Sequence, residues 1–129
     1  IAYFRTLHTE HSMPRERLGT ILGSGLISTV MIYHISQKPV AYVLEVEDGG
    51  MGHYWFSFYD PAYARQSLGL WLMLDALRAA KERGLEHYYL GTVYGDKALY
   101  KTNFEPLEWW DGSTWNKDVM LLKELGRKD

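Results

Sequence analysis

Cysteine is absent from the 129 residues, and its absence removes several kinds of chemistry at once. Without it the chain has no disulfide framework, no cysteine nucleophile and no thiolate metal site. A charged leader with an apolar core and a long apolar run are also missing, so nothing predicts secretion or a membrane span. A reducing, cytoplasmic setting is therefore the expected one.

The net charge of the chain is also small. The formal net charge is −2, which excludes a broadly basic surface, so any contact with nucleic acid would rest on a local patch. This length fits about one domain, and because no repeat or linker interrupts the chain we expect a single domain over residues 1–129. No metal site is predicted, since His8 and His11 lack a third ligand nearby and are interpreted as surface histidines.

Three segments rich in β-branched and aromatic residues lie between residues 25 and 60. They are LISTVMIYHI, PVAYVLEVED and GHYWFSFYD, with turn signals at QK and DGG between them. This pattern predicts an antiparallel meander, with strands near Ile27 to Ile35, Val40 to Val46 and Tyr54 to Tyr59. In the second strand, Glu45 and Glu47 alternate with apolar residues, which predicts that one face is wetter than the other.

An apolar stripe with helical spacing follows the third strand. It predicts a helix from about Arg65 to Arg83, ended by Gly84 in a left-handed conformation. The stripe consists of Leu68, Leu72, Ala76 and Ala79, widened by Leu70, Leu74 and Leu77. A strand from Glu86 to Leu90 then returns parallel to the third strand, because it follows a crossover helix. Beyond it we expect a short helix from Lys97 to Lys101, an aromatic strand and turn, and a terminal strand or helix.

The turn before the long helix has the features of an anion site. Unpaired N–H groups at a helix start, together with the helix dipole, favour a phosphate. The residues expected to hold the phosphates of a donor are Arg65, Gln66, Ser67, Leu68, Gly69 and Leu70. This stretch resembles the Q/R-x-x-G-x-G/A signature of the GCN5-related (GNAT) acyltransferases, although Trp71 replaces the last small residue. Plain turn chemistry is the alternative interpretation.

The order of the elements resembles the same superfamily. Three antiparallel strands, a crossover helix, a parallel strand, a short helix and a terminal strand are the core of the GNAT fold, an α+β fold with a mixed sheet. The segment ALYKTNF follows the A-x-x-Y-x-x-x-G-F pattern in compressed form, with Asn103 in place of Gly. In that superfamily the segment often carries a tyrosine as general acid, so the resemblance implies this role for Tyr100.

A closer resemblance, densest from Phe58 to Trp115, is to the C-terminal domain of the aminoacyl-tRNA–protein transferases. These are the arginyl enzymes and the bacterial aspartate/glutamate leucyl enzymes. The shared motifs are DP before the turn, SLG within it, LG at the end of the parallel strand, KALYK and DGSTW. In that family the pyrophosphate signature is eroded as well. Those enzymes also carry an N-terminal domain with cysteine pairs, so this chain is expected to be either a fragment or a stand-alone relative.

The resemblance implies transfer of an aminoacyl group from charged tRNA to the N-terminal amine of a protein or peptide. The attacking group is an α-amine with a pKa of about 8, so a modest base or water suffices to deprotonate it. Positioning and backbone donors where the parallel strands separate, near Phe58, Tyr59 and Leu90, then supply most of the catalysis. The implied partners are the 3′ end of aminoacyl-tRNA and a protein N-terminus, with no cofactor; no oligomeric state is implied.

Each candidate side chain also has a structural interpretation. Tyr59 and Tyr100 are candidates for proton transfer, and the alternative is two core aromatics with satisfied hydroxyls. Asp60 either orients the amine or ends the strand. Lys97 and Lys101 either bind RNA phosphates or an acidic acceptor, with Leu90 beside the substrate, or form a solvated helix face. The three tryptophans Trp109, Trp110 and Trp115 either stack on a terminal adenine or, as favoured, pack in the core.

Two other functions are consistent with these residues. One is acetyl-CoA-dependent N-acetylation, against which Trp71 counts, because a large side chain would crowd the approach of the pyrophosphate. The other is a non-catalytic GNAT-fold module that binds RNA or a protein terminus.

Overall fold

A computed structural model describes residues 13–128. Two compact units divide the chain, Ile1–Tyr89 and Leu90–Asp129, so a single domain over residues 1–129 stays a prediction. His8 and His11 lie outside the described residues. Within the described part, no helix combines the length and the apolar character that crossing a membrane requires.

The first unit is built on one four-stranded mixed sheet. Its strands lie in the order β1-β2-β3-β4; the first three are antiparallel and β4 is parallel to β3. This arrangement confirms the predicted meander, crossover helix and parallel strand. In chain order the elements are α1 (Arg15–Leu22), β1 (Thr29–Ile35), β2 (Lys38–Asp48), β3 (Met51–Tyr59), a 3-10 helix (Pro61–Gln66), α2 (Leu68–Glu82) and β4 (His87–Tyr89).

The two helices bury different parts of the sheet. Ile21 of helix α1 and Met13, just before the helix, pack with Leu44 of β2. Helix α2 buries Leu72, Met73, Ala76 and Ala80. Because neighbouring residues of a strand point to opposite faces, Val43, which is fully buried, lies on the face of β2 opposite to Leu44.

Two predictions about α2 are wrong. The helix begins at Leu68 and not near Arg65, because Ser67 adopts a left-handed conformation with φ of 54° that separates α2 from the 3-10 helix before it. Leu70 and Leu74 do not widen the buried stripe, since they are 46% and 55% exposed. The other end is as predicted: Gly84 follows the helix with φ of 79°.

The second unit consists of short elements around one helix. They are a 3-10 helix (Asp96–Asn103), a hairpin of β5 (Trp109–Trp110) and β6 (Trp115–Asn116), and helix α3 (Val119–Lys128). The predicted aromatic strand and turn form the β5–β6 hairpin, and the tail is a helix, which is one of the two forms expected of it. Gly126 of α3 allows close packing, since a Cβ there would lie 3.1 Å from Leu99 and 3.4 Å from Val93.

Candidate functional site

The two parallel strands separate after three residue pairs. Met51 to His53 of β3 pair with His87 to Tyr89 of β4. Strand β4 ends at Tyr89, whereas β3 continues to Tyr59. The edge of β3 beyond His53 therefore has no β4 partner, and its backbone N–H and C=O groups face the opening.

A β-bulge in β3 lies at the point where the strands separate. Leu44 of β2 pairs with Phe56, but the next residue, Glu45, pairs with Tyr54. Trp55 is therefore an extra residue in β3. A bulge bends its strand and changes the direction of nearby backbone groups. No feature of the sequence predicted it.

The turn after β3 is fixed by Asp60. Its Oδ1 accepts a hydrogen bond from the Ala62 N–H at 3.0 Å, and Pro61 occupies the first position of the 3-10 helix. Its other oxygen lies 3.7 Å from Lys38 Nζ. Asp60 thus ends the strand, as its structural interpretation proposed; its role toward an amine stays a prediction.

The predicted anion turn lies at the start of α2. The N–H of Trp71 donates to the Ser67 carbonyl at 3.1 Å, so the N–H groups of Leu68, Gly69 and Leu70 precede this first helical bond. These amides are the groups that a phosphate would meet. The side chains of Arg65 and Gln66 lie outside the described part of the structure, so their role stays a prediction.

Tyr59 and Gly69, both predicted site residues, lie against each other. A Cβ on Gly69 would lie 3.4 Å from Cε1 of Tyr59 and 3.6 Å from its hydroxyl oxygen. The hydroxyl end of Tyr59 therefore borders the anion turn. Alanine would fit at Gly69 in ordinary van der Waals contact, but a larger side chain would have to avoid the Tyr59 ring.

Trp71 lies on the β1 side of the helix. Its ring meets Tyr33 of β1 edge-on, with 5.5 Å between the ring centroids, and it is 50% exposed. The Tyr33 hydroxyl donates to Asp75 at 2.8 Å, and burial together with that carboxylate raises the pKa of Tyr33. Trp71 is thus held at the flank of the turn, and its crowding of a pyrophosphate stays a prediction.

Glu45 is a functional-site candidate that the sequence reasoning missed. Its carboxyl group is 1% exposed and accepts a hydrogen bond from the Tyr88 hydroxyl of β4. Arg83, at the end of α2, lies 3.8 Å from Glu45 and 3.3 Å from Glu47. Burial and the Glu45 carboxyl raise the pKa of Tyr88. The prediction that this face of β2 is wetter is wrong at Glu45, because Glu45 is buried with Tyr88 and Arg83 as its partners.

A signal for this cluster exists in the sequence. Glu45 is a single carboxyl group between Val43, Leu44 and Val46 in the apolar middle of β2. A carboxyl group in such a position is rarely buried without partners, so a tyrosine and an arginine on neighbouring elements could have been sought.

The remaining predicted residues belong to the second unit, and their roles stay predictions. Tyr100 is 38% exposed, so it is not a core aromatic. Lys101 Nζ donates to the Thr92 carbonyl at 3.0 Å, and burial lowers its pKa. Lys97 is exposed and Leu90 is half-buried.

The tryptophans differ from the favoured prediction. Trp110 and Trp115 form an edge-on pair, 5.6 Å between centroids, and are 55% and 50% exposed. Core packing is therefore wrong for these two. Trp109 is half-buried, and its Nε1 donates to the Asp118 carbonyl at 3.0 Å. Across residues 13–128, no three histidine or carboxylate side chains come together to hold a metal ion.

Comparison with known proteins gives the family. The profile described as "Acetyltransferase (GNAT) domain" matches residues 10–102. A Hyphomonas neptunium protein named "Aspartate/glutamate leucyltransferase" is 34% identical over 125 residues, covering 88% of this chain and 49% of that protein. A protein of the same name from Sinorhizobium medicae is 47% identical over 64 residues, covering 48% and 25%. No solved structure matches.

The chain spans about half the length, or less, of these relatives. The predicted α+β fold and the resemblance to both the GNAT superfamily and the leucyltransferases are confirmed. The profile covers more than half of the chain, and the sheet has the mixed order that this fold requires. The chain belongs to the GNAT acetyltransferase-domain family.

Proposed function

We propose that this chain transfers an aminoacyl group from charged tRNA to the N-terminal amine of a protein or peptide. The single observation that carries the proposal is the similarity to the Hyphomonas neptunium leucyltransferase across 88% of the chain. The names of the relatives specify a leucyl group and an aspartate or glutamate acceptor. Leucyl-tRNA and peptides that begin with Asp or Glu are therefore the first substrates to test.

The geometry of the first unit suits this reaction. Beyond His53 one edge of β3 has no β4 partner, and the bulge at Trp55 interrupts the regular pairing with β2. The anion turn follows at the end of the same strand, with Tyr59 against Gly69. A donor whose terminal phosphates lie at the turn could place its ester along this edge, where backbone N–H groups stabilise the developing oxyanion.

The step itself is the aminolysis of an ester. The α-amine nitrogen forms a bond to the aminoacyl carbonyl carbon, the carbon–oxygen bond of the ester breaks, and the ribose oxygen leaves. The amine gives up one proton and the ribose oxygen takes one. Tyr59 and Tyr100 are the proposed proton-transfer groups, while Lys97 and Lys101 are proposed to contact RNA phosphates or an acidic acceptor.

The proposal includes no cofactor, because the donor carries the activated ester. The cytoplasm, where charged tRNA is available, is the proposed compartment. A second candidate is acetyl-CoA-dependent N-acetylation, which the match to an acetyltransferase profile favours. The two differ in the donor, whereas the attacking amine is the same.

One experiment separates these functions. The protein is incubated with [14C]leucyl-tRNA or [14C]acetyl-CoA and with peptides that begin with Asp, Glu or Ala. We expect label from leucyl-tRNA in the Asp and Glu peptides and none in their Nα-acetylated controls. Label from acetyl-CoA alone would replace the proposal with its rival, and binding of the RNA without transfer would indicate a binding module.

A further inference from the structure

Glu45 joins three elements of the first unit. On β2 it pairs with Tyr54, which is the first residue of β3 beyond the last parallel pair. Tyr88 of β4 reaches across β3, and its hydroxyl donates a hydrogen bond to the Glu45 carboxyl group. Arg83, at the end of α2, lies 3.8 Å from the other carboxyl oxygen, Oε1. The carboxyl group is thus held at the level where β3 and β4 separate.

The backbone of β3 provides the space for this contact. A Cβ on Gly52 would lie 2.9 Å from Tyr88 Cδ2 and 2.9 Å from Leu85 Cδ1. Such distances are too short for a side chain, so glycine lets the Tyr88 ring lie directly over β3. Gly52 is also the β3 partner of Tyr88 in the parallel pair. The ring therefore passes over its own partner residue to reach β2.

Strand β4 is short. It contributes three residues, of which His87 and Tyr89 are exposed and Tyr88 is half-buried. Its backbone pairs with β3 over those residues alone. The Tyr88 side chain links β4 to the buried Glu45 of β2, whereas the Tyr89 hydroxyl contacts Met51 Sδ of the neighbouring strand β3 at 3.6 Å.

We propose that Glu45 and Tyr88 are positioning residues that fix where β3 and β4 separate, and thereby the width of the opening for the donor's ester. The part concerning the ester rests on the proposed aminoacyl transfer; the part concerning the strands does not. Arg83 stabilises the carboxyl group by its positive charge, and its second partner, Glu47, keeps the guanidinium over this corner. Neither residue touches the reacting atoms in this proposal.

The strand junction is tested by amide hydrogen exchange in Tyr88→Phe. Tyr94→Phe is the control, because it removes the hydroxyl of a tyrosine that is 61% exposed, whereas the Tyr89 hydroxyl contacts Met51 Sδ of β3. A hydrogen bond to a carboxylate changes a local opening equilibrium by about tenfold or more. We expect amides 51–54 and 87–90 to exchange at least about tenfold faster in Tyr88→Phe, and the β1–β2 amides to be unchanged. Equal exchange in the two variants would overturn the proposal.

A second variant covers the case in which Tyr88→Phe unfolds the whole chain. Glu45→Gln keeps the volume and an acceptor oxygen but removes the charge that Arg83 faces. We expect faster exchange confined to the same two segments. Global unfolding of Tyr88→Phe combined with unchanged exchange in Glu45→Gln would show a core role only and would overturn the proposal.

The effect on the opening is tested by steady-state kinetics. A misplacement of about 1 Å costs roughly 100-fold in rate, so we expect kcat in Tyr88→Phe to fall about 10- to 100-fold while the Kd for leucyl-tRNA stays within a few-fold. A parent-like kcat despite faster exchange would overturn the positioning role. If the parent protein transfers no aminoacyl group, the proposed function fails, and the exchange comparison still decides the strand junction.

Discussion

Tyr33 and Asp75, 42 positions apart in the chain, are joined by a hydrogen bond of 2.8 Å. The bond connects the edge strand β1 to the helix that covers the sheet. Asp75 also accepts two bonds from Arg78 on the same helix, at 3.0 and 2.8 Å. Both of these bonds go to Oδ1, so Tyr33 is the donor to the other oxygen, Oδ2, and the bond helps to hold β1 against α2.

Replacement of Tyr33 by Phe should lower stability modestly. One hydrogen bond to a partly buried carboxylate is lost, while Arg78 still pairs with Asp75, so we expect a loss of about 1 kcal/mol in the free energy of unfolding. Urea denaturation measures it. The control is Tyr94→Phe, because Tyr94 is 61% exposed. Equal midpoints for the two variants would contradict the structural role given to this bond.

The anion turn should respond differently to small and large residues at Gly69. Gly69→Ala fits beside Tyr59 and should stabilise the helix by up to about 1 kcal/mol, because alanine has the higher helix propensity. Gly69→Leu should weaken donor binding at least about tenfold, or about 1.4 kcal/mol, while circular dichroism shows the helix intact. Unchanged donor affinity in Gly69→Leu would place the phosphate site elsewhere.

Gly52→Ala should destabilise the first unit. Its Cβ would approach Tyr88 and Leu85 to 2.9 Å, so both side chains must move, and overpacking of this kind costs about 1–3 kcal/mol. Gly19→Ala in α1 is the control, since a Cβ there meets nothing within 4 Å. Thermal or urea unfolding compares them, and a loss at Gly52 no larger than at Gly19 would refute the steric argument.

The tyrosines should be distinguishable by kinetics. Loss of a positioned proton donor typically costs about 100- to 10,000-fold in rate. Tyr100→Phe keeps the ring, so we expect turnover to fall in that range while donor binding and the unfolding midpoint persist. Tyr59→Phe, measured alongside, shows whether the hydroxyl beside Gly69 acts too. Turnover within a few-fold of the parent in Tyr100→Phe would show that the leaving oxygen is protonated by water or by its neighbouring hydroxyl.

Asp111 should make the tryptophan hairpin sensitive to acid. Its Oδ1 accepts bonds from the Thr114 and Ser113 N–H groups, both at 2.9 Å, and these lower its pKa to about 2. A lowered pKa means that the stabilisation is present above the unfolded value of 3.8 and is lost as the pH falls toward about 2. Tryptophan fluorescence should therefore change between these values, and Asp111→Asn should abolish that transition.

The fold could be predicted because its signals are local. Alternating apolar residues, glycine turns and a helical stripe determine the order of strands and helix, and DPAYARQSLG marks the turn. The start of α2 was not predictable in this way, because the left-handed residue before it is Ser67, whereas glycine is the usual sequence signal for this conformation. Leu70 and Leu74 have the spacing of an apolar helical stripe but are exposed. Their exposure was not predictable, because the sequence does not show how much of a helix the sheet covers.

The site was predictable only in part. Tyr59 and Gly69 come together because each lies beside the same turn. The Glu45 cluster brings together residues 43 positions apart, and such contacts depend on the tertiary register and not on any local pattern. Asp60 illustrates a further limit, since the same aspartate ends a strand and stands where a catalytic carboxylate would be sought.

The extra residue in β3 also decides which side chains share a face. Tyr54 and Ser57 are three positions apart, yet both pair with residues of β2, Glu45 and Val43, that belong to the face toward α2. Under strict alternation, Tyr54 and Tyr59 would point in opposite directions. The extra residue reverses the facing of the side chains that follow it in β3. Tyr59 at the turn and the buried Glu45 therefore both lie beneath α2. If β3 kept all its residues but paired with β2 without the bulge, the inner and outer side chains of half the strand would be exchanged, so the bulge itself is what this segment must preserve.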